Sequence, residues 1–174
     1  MRILPYALAL TSFALIGVVH ADDMPTRKPG LWEMVMQQEN AKASPSHTVR
    51  QCIDEATDAE TRDFGMTAAK GACSEQDLKV SGDVMTINAV CKFGTSTQTT
   101  RATTTFSGDT AYHTDIVAQF DPPMMGKSEM HSTMDAKWVG PCPSDMRPGD
   151  MMLDNGFKMN MKDAMGGKGF MPHQ

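Results

Sequence analysis

The chain has 174 residues, a formal net charge of −5, four cysteines and 17 methionines. This length fits one domain with a buried core, and the mild acidity argues against the basic stripe that nucleic-acid-binding proteins carry. The Gly-x-Ser-x-Gly, His-Glu-x-x-His, P-loop and dinucleotide-binding patterns are absent from the sequence. We therefore expect neither an enzyme nor a nucleic-acid partner.

Residues 1–21 have the pattern of a secretory signal peptide. Arg2 precedes an apolar run, and the small residues Val19 and Ala21 occupy positions −3 and −1 of a cleavage site. We predict cleavage after Ala21, export to the periplasm, and a mature form that starts at Asp22. The apolar run, about 17 residues, is short for a membrane span. An uncleaved anchor is therefore the weaker alternative, and we expect no stable membrane span after cleavage.

Alternation of apolar and polar residues predicts six or seven short strands in the mature chain. The strands cover residues 31–40, 47–53, 73–81, 84–93, 95–106, 111–120 and 129–139. One helix interrupts them, with Asp54 as the predicted N-cap and Gly65 as the residue that ends it. This order favours a mainly β fold, a single antiparallel sheet that is strongly curled or barrel-like, with one short helix.

Two similar turns, "VSGDV" at 80–84 and "FSGDT" at 106–110, mark the ends of predicted strands. A Gly-Asp pair between alternating runs predicts a two-residue hairpin loop, because glycine accepts the positive φ of the first loop position. In the first hairpin Ser81 should face Val84, which matches apolar residues across the two strands.

The four cysteines predict two disulfides, since an even number of cysteines is usual in exported chains. Metal thiolates are the weaker alternative, because the sequence has no Cys-x-x-Cys. In the first hairpin Cys91 should face Ser74, and one β-bulge would bring Cys73 opposite Cys91. We therefore predict a Cys73–Cys91 disulfide and, by elimination, a Cys52–Cys142 disulfide.

The order of several short motifs resembles a known family. The motifs are "KPGLWE" at 28–33, "QCID" at 51–54, "CS" at 73–74 with "AVC" at 89–91 across an "SGD" turn, and "GPCPSDMRPGDM" at 140–151. This layout is similar to the exported bacterial proteins grouped as domain of unknown function 3617, from about residue 28 to 156. The resemblance implies an exported protein of this architecture and supplies no catalytic residues.

Methionine is concentrated toward the C-terminus, with 11 of the 17 from Met124 onward. Residues 157–174 are predicted to form a flexible tail rich in Met and Gly. Thioethers and imidazole suit copper, above all Cu(I). The candidate ligands are Met159, Met161, Met165, Met171 and His173. The favoured alternatives are adaptable packing by methionine and compositional drift in a disordered tail.

These observations predict a signal peptide over 1–21, a β domain over 22–156 and a tail over 157–174. The predicted function is that of a small periplasmic binding or envelope-maintenance protein without catalysis or a cofactor, whose protein or small-ligand partner the sequence leaves open. Periplasmic copper binding is one alternative. The other is a carrier of a small apolar ligand, in a cavity lined by aromatic side chains that could equally be ordinary core. Those side chains are Trp32, Phe93, Tyr112, Phe120 and Trp138.

Overall fold

The computed structural model describes residues 24–39 and 46–165. The predicted signal peptide and its cleavage site, together with Met171 and His173, lie outside these residues. The described strands are β1 Gly30–Gln38, β2 His47–Ile53, β3 Cys73–Ser81, β4 Val84–Phe93, β5 Ser96–Ser107, β6 Ala111–Met124, β7 Lys127–Gly140, β8 Asp150–Leu153 and β9 Lys158–Asn160. The described helices are α1 Glu55–Ala72 and α2 Met161–Met165.

All nine strands form one antiparallel sheet in the order β3-β4-β5-β6-β7-β1-β2-β8-β9. The predicted mainly β, antiparallel fold is confirmed, but the sheet is open and does not close into a barrel. The expected six or seven short strands are too few. β8 and β9 have four and three residues, too few for alternation to reveal them.

The core lies where β1, β2 and β7 meet. Trp32, Met34, Ile53 and Ala136 form its buried cluster. The segment before β1 covers the edge of this cluster, because the Trp32 indole N–H donates to the Lys28 carbonyl at 2.9 Å. The one polar group of the Trp32 side chain is therefore hydrogen-bonded while the ring stays buried.

The predicted N-cap of α1 is confirmed, because the Thr57 N–H donates to Oδ1 of Asp54 at 2.7 Å. The predicted end at Gly65 is wrong, since α1 continues to Ala72. Glycine ends a helix when it adopts the left-handed conformation, and Gly65 is not among the residues with positive φ. The following residues 66–72 contain alanines and a lysine, which favour helix.

The first hairpin has the predicted register. Ser81 pairs with Val84, and a bulge after Cys73 places it opposite Cys91. The second Gly-Asp turn is not the expected two-residue loop, because Ser107 pairs with Ala111 across three residues. The extra residue gives the loop further partners: the Thr110 carbonyl accepts the Trp138 N–H at 2.8 Å.

Both disulfides join the cysteines that the sequence pairs, Cys52 with Cys142 and Cys73 with Cys91. The first residues of the predicted tail over 157–174 form β9 and α2, which lie beyond the predicted domain boundary at residue 156. β9 pairs with β8 and α2 follows it directly. The Gly156 N–H donates to the Leu153 carbonyl, so a tight turn, rather than a break, follows β8.

Candidate functional site

The two faces of the sheet differ completely in charge. Residues directly opposite each other on neighbouring strands share a face, and one such row runs Leu78, Ile87, Ala102, Ile116, Ser132 from β3 to β7. We call the side that carries this row the apolar face. On β1 and β3–β7 its described positions hold no Asp, Glu, Lys or Arg.

The opposite side, which we call the polar face, carries the charged residues of the same strands. One of its rows runs Asp77, Asn88, Arg101, Val117, His131. A shallow groove of about 800 Å³ follows this row, with Asp77, Asn88 and Arg101 among its lining residues.

The apolar face is buried at its β1 end and at several positions of β5 and β6, such as Ala118, and is partly exposed on β3 and β4. In the core near β1 and β2, Trp32 and Ile53 are each 1% exposed. On β3 and β4, by contrast, the side chains of Leu78, Met85 and Ile87 remain partly exposed. A charge-free surface that keeps access to solvent at apolar side chains is typical of an interaction site.

The five aromatic residues predicted to line a cavity do not lie together. Trp32 packs against Tyr112, with ring centroids 5.7 Å apart, and Trp138 packs on the same core cluster. Phe120 and Phe93 lie toward the other end of β6 and β4. Phe120 is 6% exposed and Phe93 is 50% exposed. The first three are core residues, and the set does not enclose one common cavity.

On the polar face, Glu33 lies between two cations. Its carboxylate oxygens are 3.2 Å from Lys137 Nζ and 3.1 Å from Arg50 Nη2. Hydrogen bonds from Lys137 and then from Arg50 lower the pKa of Glu33 below its ordinary value. These three residues tie β1 to both of its neighbours, which is a structural role.

His113 is the most strongly engaged histidine. Its Nδ1 lies 2.6 Å from Asp135 Oδ1 across the β6–β7 ladder, and its Nε2 lies 3.4 Å from Asp115 Oδ1. The hydrogen bond with Asp135 raises the pKa of His113, and Asp115 adds to the effect. With both ring nitrogens occupied by carboxylates, this histidine is held in place.

Sequence reasoning missed the His113–Asp135 pair. In the structure His131 contacts Glu129, at 2.7 Å. The missing information was the register of the β6–β7 hairpin, whose turn at Met125 and Gly126 lacks the Gly-Asp signal.

A buried ion pair joins the segment before β1 to α1. Asp58 is 2% exposed and accepts a hydrogen bond from Arg27 Nε at 2.7 Å. Arg62, one helical turn further along α1, contacts the other oxygen of Asp58. Arg27 also stacks over the Trp32 ring, 5.6 Å from its centroid. The cluster fixes the helix against the core, and within it the buried Nε of Arg62 has no hydrogen-bond partner.

Three of the proposed copper ligands are described. Met159 lies in β9 opposite Met151, and Met161 and Met165 lie in α2. Within residues 24–39 and 46–165, no three His, Cys, Asp or Glu side chains are grouped to hold a metal ion. Copper binding stays a prediction, tested by Cu(I) titration of a chain in which the four tail methionines are leucine.

Next to β9, Asp150 is 5% exposed. Burial by itself would raise its pKa, but hydrogen bonds from the Asn160 side chain and the Arg147 N–H, with the charges of Lys158 and Arg147, bring the pKa below the ordinary value. Asn160 also contacts the Pro148 carbonyl. These contacts hold β9 against the loop before β8.

No helix in the described part of the chain has the length and apolarity needed to cross a membrane. No curated protein and no solved structure matches the chain. A family model described as "Protein of unknown function (DUF3617)" matches residues 27–142. The matched segment begins at Arg27, which pairs with Asp58, and ends at Cys142, which is bonded to Cys52. It covers about two thirds of the sequence. The chain therefore belongs to the DUF3617 family.

Proposed function

We propose that this is an exported periplasmic protein that binds the apolar part of a ligand on its apolar face and catalyses no reaction. The single observation that carries the proposal is the charge-free, partly exposed apolar face between β3 and β7. The fold of the protein and its membership of the family are compatible with this role, and neither specifies a ligand.

Export is supported by the cysteines. The two described disulfides support folding in an oxidising environment, where such bonds form and persist. The signal-peptide pattern at residues 1–21 gives the route, and a soluble mature form starting at Asp22 is part of the proposal.

The chemistry of the face supports an apolar ligand. A charged ligand atom placed against it would lose hydration without gaining an opposite charge. Methionines such as Met85, Met130 and Met134 have flexible, polarisable side chains that adapt to irregular apolar shapes. A hydrocarbon chain fits both properties, whereas a compact polar metabolite fits neither.

The first experiment identifies what the protein carries. The chain is purified from the periplasm of its own cells, and its intact mass is measured under native conditions beside lipid and elemental analysis. We expect a co-purified lipid or other hydrocarbon-containing molecule. Bound copper would favour the metal alternative, and a protein free of ligand would count against a carrier.

A matched pair of variants locates the binding surface. Ile116 and Val117 are neighbours on β6, are both partly exposed, and point to opposite faces. Ile116→Lys places a charge in the middle of the apolar face, and Val117→Lys places the same charge on the polar face. Binding of a fluorescent fatty acid should weaken in Ile116→Lys and persist in Val117→Lys. Equal binding by both folded variants would contradict the proposed surface.

A further inference from the structure

β3 is the outermost strand at one end of the sheet. In the described part of the chain, β4 pairs with one edge of β3 and no strand pairs with the other. The side chains of Ser74 to Asp77 are exposed, as are those of Lys79 and Ser81. An open strand edge carries unpaired backbone groups and is a template for pairing with another strand.

The hydrogen bonds of the hairpin show which residues point to the open edge. The Phe106 N–H donates to the Asp83 carbonyl at 2.8 Å, so the backbone groups of Val84 point away from β5 and toward Ser81. Residues directly opposite each other alternate between bonded and non-bonded pairs. The backbone groups of Gln76, Leu78 and Val80 therefore point outward from β3.

This alternation restricts how two copies of β3 pair around a two-fold axis. In an antiparallel pair, outward-pointing residues must face outward-pointing residues. If the two-fold axis passes through Gln76, Glu75 of one copy faces Asp77 of the other. If it passes through Asp77 or Lys79, that residue faces the same charged residue of the other copy. Centring on Leu78 places Asp77 of each copy opposite Lys79 of the other. Of these four registers, only this one has no like charges opposite each other and two opposite-charge pairs.

We infer that the protein forms a two-fold dimer through β3, with Leu78 facing its own copy at the axis. The pairing joins two nine-stranded sheets into one continuous sheet. Lys79 Nζ already lies 2.9 Å from Asp77 Oδ2 within one copy, so the dimer brings two acids and two lysines together on the polar face. On the other side, Leu78 faces Leu78 of the second copy, Val80 faces Gln76 of the second copy, and the two apolar faces become one surface. This inference does not depend on the proposed ligand.

Charge exchange tests the register. The full chain is exported, its disulfides are left intact, and its mass is followed by sedimentation equilibrium. Asp77→Lys and Lys79→Asp should each raise the dimer dissociation constant about tenfold, because each turns two attractive pairs into two repulsive ones. The double variant should restore dimerisation. A mixture of the two single variants should form a heterodimer, since one copy then carries two lysines and the other two aspartates at these positions.

A proline tests the strand edge separately. Gln76→Pro removes an N–H that points outward, so it leaves the β3–β4 ladder intact, whereas Gln76→Thr keeps that N–H. Both variants should fold, and only Gln76→Pro should remain monomeric; at concentrations too low for the parent to dimerise, all three chains should melt alike. A parent chain that is monomeric at every concentration would overturn the inference. So would a dimer that none of these substitutions weakens.

Discussion

In the half of the sheet formed by β1, β2 and β7, the side chains of Trp32, Ile53 and Ala136 are buried. In the half formed by β3, β4 and β5, Leu78 and Ile87 occupy equivalent apolar positions and stay partly exposed. Both halves show the same alternation in sequence. Alternation therefore determines which side of a strand is apolar, and a second layer of chain determines whether that side is buried.

Within the described residues, the segment before β1 supplies a second layer of chain at the β1 end. There the segment before β1 contacts both tryptophans: Trp138 donates its indole N–H to the Pro29 carbonyl at 3.0 Å, and Lys28 Nζ lies 3.9 Å from the Trp138 ring centroid. The Cys52–Cys142 disulfide and the Arg27–Asp58 pair hold the same end. We therefore expect stability to depend on this end and binding to depend on the other.

The two disulfides provide the largest expected contrast. Cys52 and Cys142 are 90 residues apart in sequence, and Cys73 and Cys91 are 18 apart. In the chain-entropy model the long loop contributes about 4.6 kcal/mol and the short loop about 3.2 kcal/mol. Replacing each pair by alanine and measuring urea unfolding should show the larger loss for the Cys52–Cys142 pair. A larger loss for the hairpin disulfide would show that the β3–β4 end contributes more than its burial indicates.

Single core residues provide the second contrast. Trp32→Ala should lower the free energy of unfolding by about 3–5 kcal/mol, as expected for a buried aromatic side chain. Ile87→Ala, at a partly exposed position, should cost only about 1–2 kcal/mol because less area leaves water on folding. Urea denaturation of the two variants and the parent measures both losses. Equal losses would mean that another element covers the β4 end in solution.

Glycines with positive φ provide the third contrast. Gly30 has φ 137° and Gly82 has φ 61°. A Cβ at Gly30 would meet the Gly140 carbonyl and the Trp138 indole, whereas a Cβ at Gly82 would meet nothing. Gly82→Ala should cost about 1–2 kcal/mol for the backbone conformation alone. Gly30→Ala adds overpacking, for about 2–5 kcal/mol in total, measured as a shift in the unfolding midpoint.

The sequence predicted most of what is local in this fold. The register of the first hairpin, the bulge beside Cys73 and the Asp54 cap follow from turn chemistry and alternation, and the structure has all three. The errors concern contacts from elsewhere in the chain. The second Gly-Asp turn has an extra residue because Thr110 bonds to β7, and β9 forms because β8 lies beside it. Such partners leave no periodic signal in a short segment.

The candidate site was predicted less well for the same reason. The five aromatics were grouped by residue type, but a common cavity requires them to be neighbours across the sheet. Tyr112 and Phe120 lie on one strand, about 27 Å apart at about 3.4 Å per residue. The charge segregation of the two faces was present in the alternation of every strand. The strand register was needed to show that the uncharged positions of all these strands lie on the same face of the sheet.

The smallest expected effect concerns the pH response of the polar face. Asp135, with Asp115 contributing less, raises the pKa of His113, so the NMR titration midpoint of His113 should lie above about 6.5. A raised histidine pKa stabilises the folded chain at pH values below the unfolded pKa, and this contribution is lost as the pH rises through the folded pKa. Asp135→Asn should lower the midpoint, and Asp115→Asn should lower it less.

Since His113 and Asp135 are both well exposed, salt should weaken the effect. A midpoint unchanged in Asp135→Asn would show that this pair does not persist in solution.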